Sequence, residues 1–173
     1  MPFSYRASNR GDASRNKTVS QSLDTNVAKG NTTVRKLLDG KGSAVFSIQP
    51  QDTVADAVGI LRDKRIGALL VTDEDGNLAG ILSERDIVRK LAETPGQTLP
   101  QTVEENMTSE VVICEPDDTL ITVLRRMTDG RFRHMPVVEN GKLCGMVTIG
   151  DVVNFRLNEL EHETLQLKQM VVG

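Results

Sequence analysis

The chain repeats itself, and this internal repetition is the feature that most constrains its fold. Val45–Thr53 matches Val111–Thr119 at an offset of 66 residues, and both copies end in Pro-x-Asp-Thr. Leu78–Asp86 matches Leu143–Asp151 at an offset of 65, so the second copy has lost one residue in a turn. Self-similarity of this kind indicates that two copies of one structural unit make up the fold.

Each copy predicts a strand, a helix, two strands joined by a polar turn, and a final helix. An Asp-Thr pair after Pro50 and after Pro116 predicts the start of the first helix in each copy. A unit of roughly 50 residues is too small to bury its own sheet, so the copies should pack together. We therefore expect an α/β (α+β) fold, with two tandem β-α-β-β-α repeats packed as a pseudo-two-fold module. The predicted strands are Val45–Pro50, Gly67–Val71 and Leu78–Leu82, and then Val111–Pro116, His134–Val138 and Leu143–Val147.

Composition and the positions of helix-breaking Gly and Pro residues divide the chain into five segments. Residues 1–30 are rich in Ser, Asn, Thr and Arg, so they cannot bury enough apolar surface to fold, and they predict a disordered tail or extension. Their Ser and Arg bias leaves a transit peptide open as an alternative. A short helix capped by Thr33 and ended by Gly40 and Gly42 should open the first repeat. The predicted boundaries are repeat one at 31–92, a linker at 93–106, repeat two at 107–157 and a C-terminal helix extension at 158–173.

The bulk composition excludes several classes of protein. A net charge of −3 and a pI of about 5.5 argue against a nucleic-acid-binding protein, which needs clustered Lys and Arg. No apolar run approaches the roughly 18 residues of a membrane span, so no membrane partner is expected. Cys114 and Cys144 lie in apolar stretches and are interpreted as buried free thiols rather than a disulfide or a metal pair. A cytoplasmic location follows, or the mitochondrial matrix if the tail is a transit peptide.

Two matching heptapeptides carry the functional signal, Gly80–Asp86 and Gly145–Asp151. In each, a hydroxyl residue falls at a strand end and an Asp lies three residues later, inside the following helix. That spacing turns both side chains toward the same opening, at the junction of the strand and the helix. There the free N–H groups of the helix N-terminus suit a phosphate. The Asp can accept two hydrogen bonds from a ribose diol. The alternative interpretation is a helix capping box with no ligand.

The paired repeats resemble tandem CBS domains, the cystathionine β-synthase type that pairs into a Bateman module. The resemblance is carried by Lys64–Val71 with Gly80–Asp86, and by Gly130–Val138 with Gly145–Asp151. It is similar to small stand-alone proteins holding one such pair. It implies a regulatory module, not an enzyme, that binds AMP, ADP, ATP or a related adenosyl ligand such as NAD(H) and acts on a separate target protein. It implies phosphate and ribose contacts from Ser83, Asp86, Thr148 and Asp151.

The same resemblance implies the rest of the nucleotide site. An apolar slot near the first strands and the Arg-His-Met-Pro segment should hold the adenine, with backbone contacts around Leu69 and Met135. Basic residues are unequal between the copies, because Arg133 and His134 stand where the first repeat has Gly67 and Ala68. They should add positive potential, so we expect the tighter site in repeat two. The other residues assigned to nucleotide binding are Ala44, Val45, Arg85, Glu110, Val111, Arg131 and Pro136, with surface solvation an alternative for Arg131.

Other functions remain as alternatives. A barrel enzyme carrying such a pair would need over 200 further residues, and no catalytic or metal-ligand spacing is visible, so no catalytic cofactor is expected. A metal role for His134 is not expected, because His162 lies on a distant helix. A ligand-free dimerisation module and S-adenosylmethionine binding stay open. The last helix has an apolar seam at 4,3,4,3,4 spacing, which predicts either packing on the module itself or a homodimer contact. The seam comprises Val153, Leu157, Leu160, Thr164, Leu167 and Val171.

Overall fold

The computed structural model describes residues 32–172, so the predicted tail, residues 1–30, lies outside the described residues. Two α/β repeats follow one another along the chain, and the α/β (α+β) class is confirmed. The elements in chain order are α1 (Val34–Lys41), β1 (Ser47–Ile48), α2 (Val54–Lys64), β2 (Ala68–Thr72), β3 (Leu78–Ser83), α3 (Glu84–Glu93), α4 (Val103–Asn106), α5 (Leu120–Gly130), β4 (His134–Glu139), β5 (Lys142–Thr148) and α6 (Ile149–Val172).

The sheets of the two repeats share their register but differ in size. Repeat one has a three-stranded sheet in the order β1-β2-β3, with β1 parallel and β3 antiparallel to β2. Repeat two has only β4 antiparallel to β5. The ladder is irregular between Val71 and Thr72, and again between Val137 and Val138, which are equivalent positions. The duplicated bulge supports a common origin of the two units.

The predicted first strand of repeat two, Val111–Pro116, is wrong. A single parallel bridge between Cys114 and Val137 takes its place. In repeat one the N–H of Leu70 donates to the carbonyl of Phe46 at 3.1 Å and so helps to hold β1. The residue equivalent to Leu70 is Pro136, which has no N–H to donate, so the ladder cannot extend. In repeat one the predicted strand shortens to β1, Ser47–Ile48.

The segments that precede the repeats are exchanged between them. We name residues 32–41 lead-in one and residues 101–108 lead-in two. Lead-in one was predicted to open repeat one, but it packs on repeat two, whereas lead-in two packs on repeat one. In both cases two successive amides donate to the Pro and Asp carbonyls of the Pro-x-Asp-Thr turn. The bonds are Val34 to Asp118 at 2.9 Å, Arg35 to Pro116 at 2.8 Å, Val103 to Asp52 at 2.8 Å and Glu104 to Pro50 at 3.0 Å.

This exchange also builds the two hydrophobic cores. The core of repeat one includes buried Val103, with Met107 packed against it, and the core of repeat two includes buried Val34 and Leu37. Thr33 occupies the predicted N-cap position of α1, but its side chain makes no capping bond. Its backbone pairs instead with Thr119 in an antiparallel bridge. The helix continues past Gly40 to Lys41 and is capped by Gly42, whose φ is +90°.

The last helix, α6, runs without a break from repeat two through the predicted C-terminal extension. Its first turns belong to the core, since Val152 is 1% exposed and Phe155 packs against the same cluster. The seam residues further along are uncovered: Val153, Leu157 and Leu160 are between 44% and 53% exposed, and Val171 is 85% exposed. The described part of the module therefore does not cover the predicted seam with its own surface.

Candidate nucleotide site

In repeat one, Ser83 and Asp86 form a complete capping box at the N-terminus of α3. The hydroxyl of Ser83 donates to Asp86 Oδ2 at 2.5 Å, and the N–H of Ser83 donates to the same oxygen at 3.1 Å. The N–H of Asp86 in turn donates to Ser83 Oγ at 3.3 Å. Both side chains are half-buried. The predicted pair therefore lies together, and its hydrogen bonds are internal to the helix cap.

In repeat two, the matching pair Thr148 and Asp151 has an additional partner. The N–H of Thr148 donates to Asp151 Oδ2 at 2.9 Å, and the N–H of Asp151 donates to Thr148 Oγ1 at 3.1 Å. Lys41 Nζ, from the end of α1, donates to the same Asp151 Oδ2 at 2.6 Å. Burial alone raises the pKa of Asp151, but the bonds from Lys41 and Thr148 outweigh it and hold this pKa below its ordinary value.

Each candidate site is a composite of both repeats, because the exchanged lead-ins reach the strand that carries the heptapeptide. In repeat one, Ile81 and Thr108 exchange backbone hydrogen bonds at 2.9 and 3.0 Å. In repeat two, the carbonyl of Met146, the counterpart of Ile81, accepts instead from Lys41 Nζ at 2.7 Å. The chain from Lys41 toward Val45 thus starts beside Asp151, and the chain from Thr108 toward Val111 starts beside β3.

The glycine of each heptapeptide is required by close packing around it, which the sequence pattern did not reveal. A Cβ at Gly80 would lie 2.6 Å from Met107 Sδ and 2.9 Å from the carbonyl oxygen of Thr108. A Cβ at Gly145 would lie 3.0 Å from both methyl carbons of Leu38. Both glycines therefore allow a lead-in to approach the strand closely. This contact holds the lead-in near the Ser83 or Thr148 end of the same strand.

His134 lies where the two repeats meet. It pairs with Thr148 across β4 and β5, as Ala68 pairs with Ser83 across β2 and β3. A Cβ at Gly67 would lie 3.3 Å from the His134 ring, so the lack of a side chain at Gly67 leaves room for the imidazole.

The surroundings of His134 disfavour the positive charge that the sequence analysis assigned to it. Desolvation lowers the pKa of His134, the carboxylates of Glu84 and Asp151 oppose this, and Arg133 and Lys41 reinforce it. Since its pKa lies below the ordinary value, His134 is neutral at pH 7 and supplies hydrogen-bonding capacity rather than positive potential. Within residues 32–172, the cation bonded to Asp151 is Lys41.

The predicted arginines are exposed and also join the repeats. Arg85 Nη1 donates to the carbonyl of Arg131 at 2.9 Å, so one of its N–H groups links α3 to the end of α5. Arg131 is in the left-handed conformation with φ +57°, as is its counterpart Arg65 with φ +55°. Arg133 is exposed beside His134. None of these guanidinium groups is buried, so each can turn toward a ligand.

The residues predicted for the adenine slot divide by burial. The side chains of Leu69 and Met135 are fully buried in the two cores, so only their backbones could meet a ligand. Ala44 and Glu110 are exposed. The remaining members of this set are Val45 and Val111, both partly buried, and Pro136, which is buried.

A cleft of about 640 Å³ opens between α1 and α6, next to the Lys41–Asp151 pair. Leu37 and Phe155 give it an apolar wall, and His162 also lines it. The residues predicted for the adenine slot do not line this cleft, so it is a separate surface that shares Asp151 with the predicted site. Its volume is in the range of ordinary small-molecule pockets.

Lys41 is the principal site residue that the sequence analysis did not identify. The sequence nevertheless contains a repeat that includes the segment carrying it. Lead-in one begins Thr32-Thr-Val34 and lead-in two has Gln101-Thr-Val103, so the lead-ins repeat at an offset of 69 residues. Recognising this third match would have identified both lead-ins as equivalent parts of the fold. It would not have shown that each one docks on the opposite repeat.

Within residues 32–172, no group of three or more His, Cys, Asp or Glu side chains is arranged to hold a metal ion. No described helix is both long and apolar enough to span a bilayer. Cys114 and Cys144 are free thiols; Cys114 is buried and Cys144 only partly so. Burial raises the pKa of Cys114 to about 12, so this thiol stays protonated.

Comparison with known proteins gives matches over both repeats. Residues 42–93 and 102–158 each match the family model of the CBS domain. The CBS domain-containing protein CBSX3, mitochondrial, of Arabidopsis thaliana is 33% identical over 150 residues, which are 82% of this chain and 73% of that protein. Two further curated relatives are longer, and the chain spans 43% and 25% of their lengths.

Solved structures agree with this assignment. The CBS-domain containing protein ATU1752 from Agrobacterium tumefaciens has a TM-score of 0.71 and 45% identity, covering 72% of this chain and 99% of that one. The CBS domain pair of protein MJ0100, solved in complex with 5′-methylthioadenosine and S-adenosyl-L-methionine, has a TM-score of 0.62 and 26% identity, covering 74% of this chain and 98% of that one. With both repeats matched in sequence and in structure, the chain belongs to the CBS-domain family, as a tandem pair of the Bateman-module type.

Proposed function

We propose that this CBS pair is a regulatory module that binds an adenine nucleotide, with AMP, ADP or ATP as the ligand class, and that it catalyses no reaction. The observation that carries the proposal is the half-buried Thr148–Asp151 pair at the N-terminus of α6, with Lys41 Nζ 2.6 Å from the carboxylate. A helix N-terminus and an ammonium group both favour a phosphate, and the carboxylate can accept hydrogen bonds from a ribose diol.

The relative MJ0100 supports an adenosyl ligand, since both molecules in its complex carry adenosine. S-adenosylmethionine and NAD(H) therefore remain competing ligands, because they present the same diol to an Asp. Beyond the ribose they differ in charge: S-adenosylmethionine has a cationic sulfonium, whereas the nucleotides have phosphates. Lys41 favours the phosphate-bearing class in repeat two.

Nucleotide binding should raise the melting temperature of the protein. A ligand that binds only the folded state at 100 times its Kd stabilises by about 2.7 kcal/mol. For a domain of this size that corresponds to a rise on the order of 5–10 °C. Thermal unfolding scans with AMP, ADP, ATP, NADH, S-adenosylmethionine and GMP measure it, with GMP as the control for the base. If no adenosyl compound at millimolar concentration shifts the transition, the module is a ligand-free structural unit and the proposal fails.

The regulated target is a separate protein in this proposal, because the domains that match in this chain are CBS domains. The location proposed is the cytoplasm, with the mitochondrial matrix as the alternative. The name of CBSX3 as a mitochondrial protein, together with the Ser- and Arg-rich residues 1–30, supports that alternative.

A homodimer is proposed to form through α6. Its seam residues Leu157, Leu160 and Leu167 are at least 50% exposed, and a second copy of the same seam is the partner whose spacing matches. Isolated apolar side chains are ordinary on a surface, but a row of them along one helix face marks a contact.

Removing the residues after Asn158 should therefore weaken the dimer, because it deletes most of the seam. A point substitution, Leu167→Glu, should act in the same direction, while Gln169→Glu, on the opposite face of the helix, should not. Sedimentation equilibrium measures the dissociation constant of each variant. A truncated protein with the dimer mass and an unchanged dissociation constant would show that α6 is not the interface.

A further inference from the structure

The Lys41 ammonium occupies an edge of the Asp151 carboxylate that a ribose diol would also use. Lys41 Nζ makes two short hydrogen bonds there, 2.6 Å to Asp151 Oδ2 and 2.7 Å to the carbonyl of Met146. The two side chains are 31% and 27% exposed, so the pair is reachable by a ligand. Asp151 Oδ2 accepts from both Lys41 and the N–H of Thr148, so a ribose diol that bonds to both carboxylate oxygens competes with Lys41 for Oδ2.

In repeat one, a backbone hydrogen bond occupies the position that the Lys41 side chain occupies in repeat two. There the carbonyl of Ile81 accepts from the backbone N–H of Thr108 at 2.9 Å, and the helix of lead-in two, α4, has four residues. Helix α1 of lead-in one has eight residues, and a lysine side chain from its last residue replaces that backbone bond. Within residues 32–172, Asp86 forms no ion pair with a lysine or arginine, whereas Asp151 does. The pseudo-symmetry is thus broken by one cation.

We propose that Lys41 sets the charge specificity of the Asp151 site, so that this site selects phosphate-bearing adenosyl ligands over uncharged ones. This inference rests on the proposed function and adds to it the class of ligand that each site prefers. When a ribose diol bonds to both oxygens of Asp151, the Lys41 ammonium leaves Oδ2. A phosphate on the same ligand gives the displaced ammonium a new partner, whereas adenosine leaves it without one.

The side chain of lysine suits this exchange. Its charge sits on a flexible four-carbon stem, so Nζ can move between neighbouring anions while the backbone stays fixed. The backbone at Lys41 is held at the end of α1, because α1 docks on repeat two and the N–H of Gly42 caps the helix by donating to the carbonyl of Leu38. Lys41 thus weakens the binding of a ligand that displaces it from Asp151 without supplying another anion. It strengthens the binding of a ligand that carries a phosphate.

Titration calorimetry with adenosine and AMP tests this inference on the full chain. An Asp86→Asn background removes the carboxylate of the other site, so that the Asp151 site gives the main signal. With Lys41 present, AMP should bind about 10- to 100-fold more tightly than adenosine, as expected for charge-assisted hydrogen bonds to a phosphate. In Lys41→Met, AMP should bind about tenfold more weakly, while adenosine should bind as well or up to about threefold more tightly.

Two matched variants separate charge from structure. Lys36→Met, an exposed lysine on the same helix, should leave both affinities unchanged. Lys41→Arg keeps the charge and should retain the preference for AMP. If Lys41→Met changes both affinities by the same factor, Lys41 has no selective role and the inference is overturned, although nucleotide binding stands. If the protein with Lys41 and Asp86 intact binds none of AMP, ADP and ATP, the proposed function itself fails, and the inference with it.

Discussion

Replacement of Asp151 by Asn should weaken AMP binding in repeat two by roughly 10- to 100-fold, since a charge-assisted hydrogen bond contributes about 1.5–3 kcal/mol. Asn keeps the shape of the side chain and an oxygen that can accept from Thr148 N–H, so the change chiefly removes the charge. Calorimetric titration measures the affinity. The unfolding curve of the same variant measures the cost to the helix cap and to the partly exposed Lys41 pair, for which at most about 1 kcal/mol is expected.

Ser83→Ala in repeat one is the comparison. Its hydroxyl would give a ligand one neutral hydrogen bond, so a loss of about fivefold is expected there. If Asp151→Asn keeps the original affinity for AMP while its unfolding transition drops, Asp151 serves only as a helix cap. If both sites weaken together in the Asp151 variant, the two clefts are coupled through the lead-ins that cross between the repeats.

The repetition in the sequence was sufficient to predict the fold because it relates whole elements. Copies matching at offsets of 66 and 65 place Ser83 and Thr148, each followed by its Asp, at equivalent strand ends, and both capping boxes form there. The first strand of repeat two was wrong for a reason that was already in the sequence. Pro136 stands where repeat one has Leu70, and a proline cannot donate the hydrogen bond that would hold the edge strand.

The composite nature of the site could not be derived from the repeats alone. Lys41 and Asp151 are separated by 110 residues, and their contact depends on lead-in one crossing to repeat two. A local pattern cannot distinguish a helix that packs on its own repeat from one that packs on the other. The environment of His134 is likewise set by tertiary contacts, since Glu84 and Gly67 come from repeat one.

The contact between Gly80 and lead-in two predicts a loss of stability from the addition of a single methyl group at this glycine. In Gly80→Ala the new Cβ would lie 2.9 Å from the carbonyl oxygen of Thr108, a backbone atom, as well as 2.6 Å from the flexible Met107 side chain. Because the Ile81–Thr108 bridge is built on this close approach, relief of the clash must shift lead-in two. Overpacking of this kind costs about 1–3 kcal/mol.

Gly59→Ala is the matched control, because a Cβ there has nothing within 4 Å and the residue lies inside α2. Alanine in a helix interior should stabilise by about 0.5–1 kcal/mol, so the two substitutions should move the free energy of unfolding in opposite directions. Chemical denaturation of both variants measures the difference. The shift of lead-in two would also displace the chain leading to Glu110 and Val111, so ligand affinity at the Asp86 site should fall in Gly80→Ala and not in Gly59→Ala. A Gly80→Ala protein as stable as the Gly59→Ala protein would mean that lead-in two can move away from β3 at no cost, and that Gly80 does not fix its position.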